Sequence, residues 1–520
     1  MEQRLQAFSC IAMCMGLKTI LFMGIIARQS IKGTIVTYLG VAIGFITTFF
    51  VLTRFLSAEE IGLARVLVDA ATLFIGLAQL GTSSSIIRFY PYFKDKEQGD
   101  HGFFFWTLCV PFIGFLLFSL IYWACSVPLC QWFSEKSPLF VDYYYMVLPI
   151  AFFMLYQTIF ETNANVLMRI VVPRAVREVF VRIGMLVIYL LYAFRILSLD
   201  GFVIAISLVY ALATLINIVY LWYEGRISLR VDWAFLRANK QVVRNYLLYT
   251  AFLVISAVAA VLAPTLSSFF ITAKMGLNYT GIFAIATYIS VMVSIPYRSV
   301  TAIASPQLSQ TIKDKDTQGT SMLMKQCSNN LLLIGGFILL TIWINIDLIF
   351  DILPNGETYR VAKYVILILS LTQLILSTFN ITVSALNYSK FYAFSLLLSL
   401  LLTVSAIWLN NFLIPQMGME GAAWSNLLSY TCYFVGVIAI LGLTSKVHPF
   451  SWNQVKIVAL LLVVFALNYV WVTFFPIDNI WLSSIVRSFV LLGLGVLSAW
   501  KMHLSPEVYE VFRSIFISRH

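Results

Sequence analysis

Arg65–Gly81 reads RVLVDAATLFIGLAQLG. Apart from Arg65, Asp69 and Gln79 the stretch is apolar or small, and as a helix it covers most of a hydrocarbon layer about 30 Å thick. Arg65 and Asp69 stand four residues apart, so they share one helical face. An ionised side chain in mid-bilayer costs at least ~2.5–3.5 kcal/mol on insertion scales. The pair therefore has to face water or each other if this run crosses a membrane.

The rest of the chain decides that it does. Of 520 residues, 61% are hydrophobic and 11% charged, against about 25% charged in soluble domains. No soluble fold buries that much apolar surface without large exposed patches. Apolar runs near the spanning length recur from end to end, and the ten-residue alternation of a membrane barrel is absent. The fold class is all-α and integral to a membrane. Fourteen spans are predicted: Ile31–Leu52, Leu63–Ile86, Gly102–Ala124, Tyr143–Asn163, Val179–Ile196, Phe202–Tyr223, Tyr246–Ile271, Gly281–Ala304, Cys327–Ile349, Val361–Leu386, Tyr392–Leu413, Gly421–Leu443, Val455–Phe475 and Trp481–Trp500.

The net charge of +11 raises the question of nucleic acid. Its distribution answers it. From Arg28 onward, the segment before the first span, every second loop and the tail hold 23 Lys and Arg. The opposite loops and their flanks hold 7: Arg54, Arg65, Lys136, Arg195, Lys274, Arg360 and Lys363. By the positive-inside rule the rich set is cytoplasmic, with both termini inside. Topology accounts for the charge, and no nucleic-acid partner is expected.

Cysteines are scattered, none at zinc spacing with a histidine. Cys125 and Cys130 share a loop, either as a disulfide or as two unpaired small apolar side chains. The first residues, FSCIAMCMGLKTILFMGII, are apolar enough to span but hold Lys18, and no small-residue cleavage site follows. They are read as a dispensable or interfacial extension, with a fifteenth span or a start at Met23 as alternatives.

The halves repeat. SAEEIGLA precedes the second span and LNYTGIFA the eighth, placing Gly62 and Gly281 219 residues apart. KDK recurs at Lys94–Lys96 and Lys313–Lys315 with the same offset, and Gly201 matches Gly421 at 220. Three matches at offsets of 219 to 220 define a six-span unit. Six is even, so both copies enter from the same side, related by an axis along the membrane normal. The expected organisation is an N-terminal extension over 1–29, an N-lobe over 30–223, a basic cytoplasmic linker over 224–245, a C-lobe over 246–443, and two further spans with a cytoplasmic tail over 444–520.

SIKGTIVTYLGVAIGFITTFFVLTRFLSAEEIGLARVLVDAATLFIGLAQLGTSSSIIRFYPYF, Ser30–Phe93, resembles the opening of bacterial polysaccharide exporters, the O-antigen-type flippases of the multidrug/oligosaccharidyl-lipid/polysaccharide superfamily. Leu56, Glu60 and Gly62, then LGTSSSIIRFYPYF, carry the likeness. The 6 + 6 + 2 organisation extends it to Trp500. The resemblance implies two six-helix lobes in a V, as in the superfamily's MATE drug exporters, and alternating access. It implies export of an undecaprenyl-(pyro)phosphate-linked oligosaccharide from the inner to the outer leaflet of the bacterial cytoplasmic membrane. The family's cavity is typically cationic; its drug-exporting relatives use acidic residues to couple cations.

Arg298, in ISVMVSIPYRSVTAIA, has no acidic residue within four positions, and Pro296 beside it is expected to kink the helix. It is the first substrate-binding candidate, against snorkelling to the interface. Its partner at offset 219 is Gln79, so the second and eighth spans are expected to face each other. Arg65 is a further cavity candidate. Arg54 and Lys274 either rim the outer mouth or anchor the interface. Asp69 and Glu161 are ion-coupling candidates; Asp69 is alternatively a structural partner of Arg65, and Glu161 of Arg169 or Arg182. No catalytic or metal-binding residue and no cofactor is expected beyond a coupling H+ or Na+. The expected partners are the lipid-linked glycan, membrane lipids and other polysaccharide assembly proteins. The competing readings are a multidrug/cation antiporter, a peptidoglycan-precursor flippase and, remotely, a membrane glycosyltransferase or polymerase. The enzyme reading needs acid–base groups in an outer loop, and the longest such loop, CSVPLCQWFSEKSPLFVD, offers one Glu and one Asp.

Overall fold

The computed structural model describes residues 25–95, 99–167, 169–225, 265–474 and 479–502, with 232–233, 240–241, 244, 246 and 504. The extension before Met23, most of the basic linker, most of the seventh span and the tail lie outside the described residues. Within them every regular element is helical. The helices of eight residues or more include α1 Ile25–Ile46, α2 Ala58–Ala78, α3 Thr82–Phe93, α4 Phe103–Ala124, α5 Ser126–Ser134, α6 Val147–Val166, α7 Val181–Ala193, α8 Leu199–Tyr223, α9 Leu277–Val291, α10 Ile295–Lys313, α11 Thr317–Ile344, α12 Lys363–Tyr388, α13 Tyr392–Met417, α14 Met419–Ser445, α15 Trp452–Phe474, α16 Ile480–Arg487 and α17 Gly493–Lys501; residues 265–274 are helical as well.

Twelve helical runs among the described residues are long and apolar enough to cross a membrane, and they coincide with twelve of the fourteen predicted spans. The fifth predicted span falls on the continuous helical run Val171–Ala193, which ends in α7 and is set apart by Arg177, Glu178 and Arg182; it stops at Phe194, where Arg195 takes a left-handed conformation (φ 58°). Along α13, Leu397, Leu401, Val404, Trp408 and Phe412 are exposed at spacings of three and four. One face of that helix is thus an apolar stripe that only lipid would cover. The chain is a multi-pass membrane protein.

Capping explains where the helices start. Ser57 and Glu60 form a reciprocal box: the Ser57 N–H donates to Glu60 Oε2 at 2.7 Å and the Glu60 N–H to Ser57 Oγ at 3.2 Å. It starts α2 at Ala58, five residues before the predicted span. Ser198 and Asp316 accept from the backbone N–H three residues on, at 3.1 and 2.8 Å, starting α8 and α11.

The predicted second span breaks in two. After Ala78, Leu80 (φ 48°) and Gly81 (φ 71°) turn left-handed, and the chain resumes as α3. Its repeat mate does not break but tightens, at the 3₁₀ turn Met292–Ser294, with Pro296 in the first turn of α10. Pro suits that position. The helix boundaries carry the repeat. Starts of α2 and α9 are 219 apart, and those of α8 and α14 are 220 apart.

Two compact units divide the chain. Unit 1 comprises 1–51, 70–127 and 143–257; its core includes Phe104, Phe160, Ala164 and Leu221, from α4, α6 and α8. Unit 2 comprises 52–69, 128–142 and 258–520. There α14 packs on α12 and α13, and α11 on α12 and α15. One core cluster gathers Leu308, Met324, Ile381, Leu386, Val437 and Leu441; another joins Leu340 and Ile344 to Val464 and Leu491.

Candidate functional site

The Arg65–Asp69 pair is made within α2. Arg65 Nε donates to Asp69 Oδ2 at 2.8 Å, with the carboxylate side chain 9% exposed and the arginine 37%. The terminal guanidinium nitrogens meet no acceptor among the described residues. Asp69 is thus held by a neutralising partner while Arg65 keeps its forked donors available.

Arg298 differs. It is exposed in the first turns of α10, and its guanidinium has no hydrogen-bond or ion-pair partner among the described residues. Gln79 sits in the turn that breaks α2 from α3, its Oε1 accepting from Ser83 Oγ at 3.0 Å. Gln79 thus stands at the break in its long helix, and Arg298 just past the 3₁₀ turn in its own. Arg54 is exposed in the short turn Thr53–Phe55, its guanidinium 5.5 Å from the Phe55 ring centre.

Lys274 is fastened rather than free. Its Nζ donates to the Asn411 carbonyl at 3.0 Å and to Asn411 Oδ1 at 2.8 Å, and lies 5.5 Å from the Phe270 ring centre. Partial burial pulls its ammonium below the ordinary lysine range.

Glu161 pairs with Arg177, at 3.0 Å, rather than with Arg169 or Arg182. Arg169 goes to Glu224 at 3.0 Å. Arg182 binds Glu178 at 3.1 Å and donates to the Gly40 carbonyl at 2.7 Å. Arg177 also reaches Glu178, at 3.2 Å, closing a chain of two acids and two arginines in unit 1. The reason is a π turn over Val176–Phe180, which inserts one residue into the helical register.

Two polar groupings escaped the sequence reading. Ser267 Oγ lies 3.1 Å from both Asn410 Oδ1 and Asn426 Oδ1, two acceptors converging on one hydroxyl proton. Arg487, buried in the last span, bonds the Ser483 carbonyl at 3.3 Å and Asn468 at 3.5 Å. The available signal was an amide or guanidinium inside an otherwise apolar run. Cys125 and Cys130 are free thiols. Among the described residues no cluster of three or more His, Cys, Asp or Glu is arranged to hold a metal.

An almost wholly apolar cavity of about 690 Å³ lies among α11, α12 and α15, lined by Gly336, Leu340, Leu374, Phe379, Leu461 and Phe465 among others. A second cavity, of about 600 Å³, has a mixed lining in which Gln131, Glu135, Lys136 and Lys274 stand beside Trp132, Met275, Ile414 and Pro415.

This helical architecture is that of flippases and multidrug transporters. The structure of the lipid II flippase MurJ in an inward closed conformation matches with a TM-score of 0.66 at 13% identity, covering 94% of this chain and 98% of that one. An inward-facing multidrug resistance MATE family transporter of the MOP superfamily matches with a TM-score of 0.61 at 14% identity, covering 82% and 99%. The Vibrio cholerae MATE transporter VcmN in its bent form gives 0.52 at 14%, covering 81% and 98%. No curated protein matches at the level of sequence. The family model for polysaccharide biosynthesis proteins matches residues 26–312, more than half of the chain, which therefore belongs to that family.

Proposed function

We propose that this protein is a flippase moving an undecaprenyl-(pyro)phosphate-linked oligosaccharide, an O-antigen or other surface polysaccharide unit, from the inner to the outer leaflet by alternating access. The observation that carries the reading is Arg298, an unpartnered guanidinium just past the 3₁₀ turn of the eighth span, in a chain of the polysaccharide biosynthesis family. A phosphate taken into an apolar setting needs a cation and hydrogen-bond donors, and a guanidinium supplies both as a fork. Arg65, with Asp69 balancing its charge, offers further donors. The apolar cavity among α11, α12 and α15 is suited to an isoprenoid chain, which needs no polar contact.

An inside-negative potential favours outward movement of the anionic headgroup, by up to ~2.3 kcal/mol per charge per 100 mV. Returning the emptied cationic site works against it, which gives H+ or Na+ coupling a purpose; Asp69 and Glu161 are the proposed coupling groups. The protein is then a transporter rather than an enzyme. Its place is the bacterial cytoplasmic membrane, with both termini inside. Two other readings have specific support: the likeness to MurJ favours a peptidoglycan-precursor flippase, and the buried Asp69 a cation-coupled antiporter.

The test is deletion of the gene. Loss of surface glycan, with lipid-linked oligosaccharide accumulating out of reach of externally added glycosidase, is the expected result. Arrested peptidoglycan synthesis would transfer the assignment to a peptidoglycan precursor. Intact glycan with heightened drug sensitivity would transfer it to drug export.

A further inference from the structure

Phe270, itself buried, holds two different groups at the rim of the second cavity. The Lys274 ammonium lies 5.5 Å from its ring centre, and Trp132 meets it at right angles, with centroids 5.5 Å apart and planes at 85°. Trp132 is 42% exposed. Lys274 spends two of its three N–H donors on Asn411 and keeps one. A fixed cation thus stands beside an accessible indole.

The cavity walls come from three places: α5 with the turn after it, residues 273–275, and the end of α13 with the turn into α14. They are fastened together. Ser137 Oγ donates to the Thr272 carbonyl at 2.7 Å. Gly276 has φ +107°, and a Cβ there would stand 2.8 Å from the Lys136 carbonyl oxygen. Gly418 has φ +59°, and a Cβ there would stand 3.0 Å from the Met275 methyl. The walls are fastened to one another around a surface-open volume of about 600 Å³, room enough for a small molecule.

The charges here are not what topology supplies. Lys136 and Lys274 are two of only 7 basic residues in the loops and flanks assigned to the outside, where the positive-inside rule disfavours them. Both line this cavity, with Glu135 as the acid and Gln131 as a neutral amide. Lys136 and Glu135 make no ion pair among the described residues. Two ammoniums against one carboxylate leave a net positive pocket beside an aromatic face.

We propose that this pocket binds a carboxylate-bearing sugar, as the docking subsite for an acidic residue of the exported glycan on the side where it leaves. This rests on the flippase reading and on the outward assignment of the loop. The indole takes the apolar face of the pyranose, the lysines take the carboxylate, and Gln131 and Glu135 take hydroxyls. A phosphate would engage the lysines and leave the indole unused; a neutral sugar would do the reverse.

The experiment is saturation-transfer NMR on the purified full chain in detergent, with sodium glucuronate, glucose and inorganic phosphate as probes. Glucuronate should bind saturably, glucose at least ten-fold more weakly, and phosphate should not displace glucuronate. Lys274→Met and Trp132→Leu should each weaken glucuronate ten-fold or more, in protein that still elutes as a single species. Absence of saturable glucuronate binding, equal binding of glucose, or displacement by phosphate would overturn the proposal. Sidedness is read separately, in a Met275→Cys chain whose seven native cysteines are all replaced by serine. A membrane-impermeant maleimide should label intact spheroplasts, and glucuronate should slow that labelling several-fold. Labelling confined to inverted vesicles would overturn the exit role and the flippase orientation, while the micelle data would still report whether the sugar site exists. A failed gene-deletion test with intact glucuronate binding would instead sink only the flippase reading.

Discussion

Gly62 and Gly281 meet backbone to backbone, and the contact is reciprocal. A Cβ on Gly62 would stand 3.0 Å from the Gly281 nitrogen, and one on Gly281 3.1 Å from the Gly62 nitrogen. Each would also run into a carbonyl four residues before its counterpart, Leu277 for Gly62 and Ala58 for Gly281. Residues 219 apart in the chain thus make the same contact in both directions, which is how a local two-fold relation is built. The helices α2 and α9 can cross this closely only without side chains there.

Gly281→Ala is therefore expected to destabilise the protein by roughly 1–3 kcal/mol, the usual range for overpacking. The obstructing atoms are backbone, so no rotamer change relieves them. Gly442→Ala, with nothing within 4 Å of the added methyl, serves as the comparison and should be neutral. Thermal unfolding in detergent, followed by gel filtration, compares the two. Equal midpoints would mean that the crossing is looser than described.

Arg177 is the common partner of Glu161 and Glu178, whose side chains are 8% and 12% exposed. Arg177→Met leaves Glu161 with no bound cation and should cost about 3 kcal/mol, the lower end for a broken buried pair. Arg169→Met removes a pair whose arginine is half exposed and should cost no more than about 1 kcal/mol. Adding Glu161→Gln to Arg177→Met should recover part of the loss. Equal melting points for the two single variants would place the acidic chain in solvent.

These relationships were legible to different degrees. The spans and the repeat were, because apolar length and glycine offset are written directly in the residues, and Gly62 and Gly281 proved to touch. The interruption of the second span was not. QLG at Gln79–Gly81 is too short to disturb an apolar window, yet Leu80 and Gly81 turn the chain left-handed. Nor was the partner of Glu161, since a π turn shifts register without any signature residue. The SAEE capping box was available to be read and would have placed the start of α2 correctly. The setting of Lys274 was beyond reach, because its contact is with Asn411, 137 residues away.

Asp69 tests whether the α2 pair couples transport to an ion. Asp69→Asn keeps an oxygen able to accept from Arg65 Nε but removes the charge, so the fold should survive. Under the proposed coupling role, flipping driven by an imposed H+ or Na+ gradient in proteoliposomes should fall at least ten-fold. Undiminished gradient-driven flipping by this variant would remove Asp69 from coupling and leave it as the partner that holds Arg65.

Arg298 carries the substrate assignment, and its prediction follows from geometry and charge together. Its side chain is exposed and its guanidinium makes no hydrogen bond or ion pair among the described residues, so removing it should leave the fold intact. Arg298→Ala should insert and express normally yet abolish surface glycan, because a buried anionic headgroup without a cation is prohibitively costly. Arg298→Lys should retain part of the export: the charge survives, but the two-pronged donor that matches phosphate does not. Immunoblotting of surface glycan, normalised to membrane expression, measures both variants. Wild-type glycan from Arg298→Ala would make this residue an interface anchor, and the phosphate would then have to be sought at Arg65.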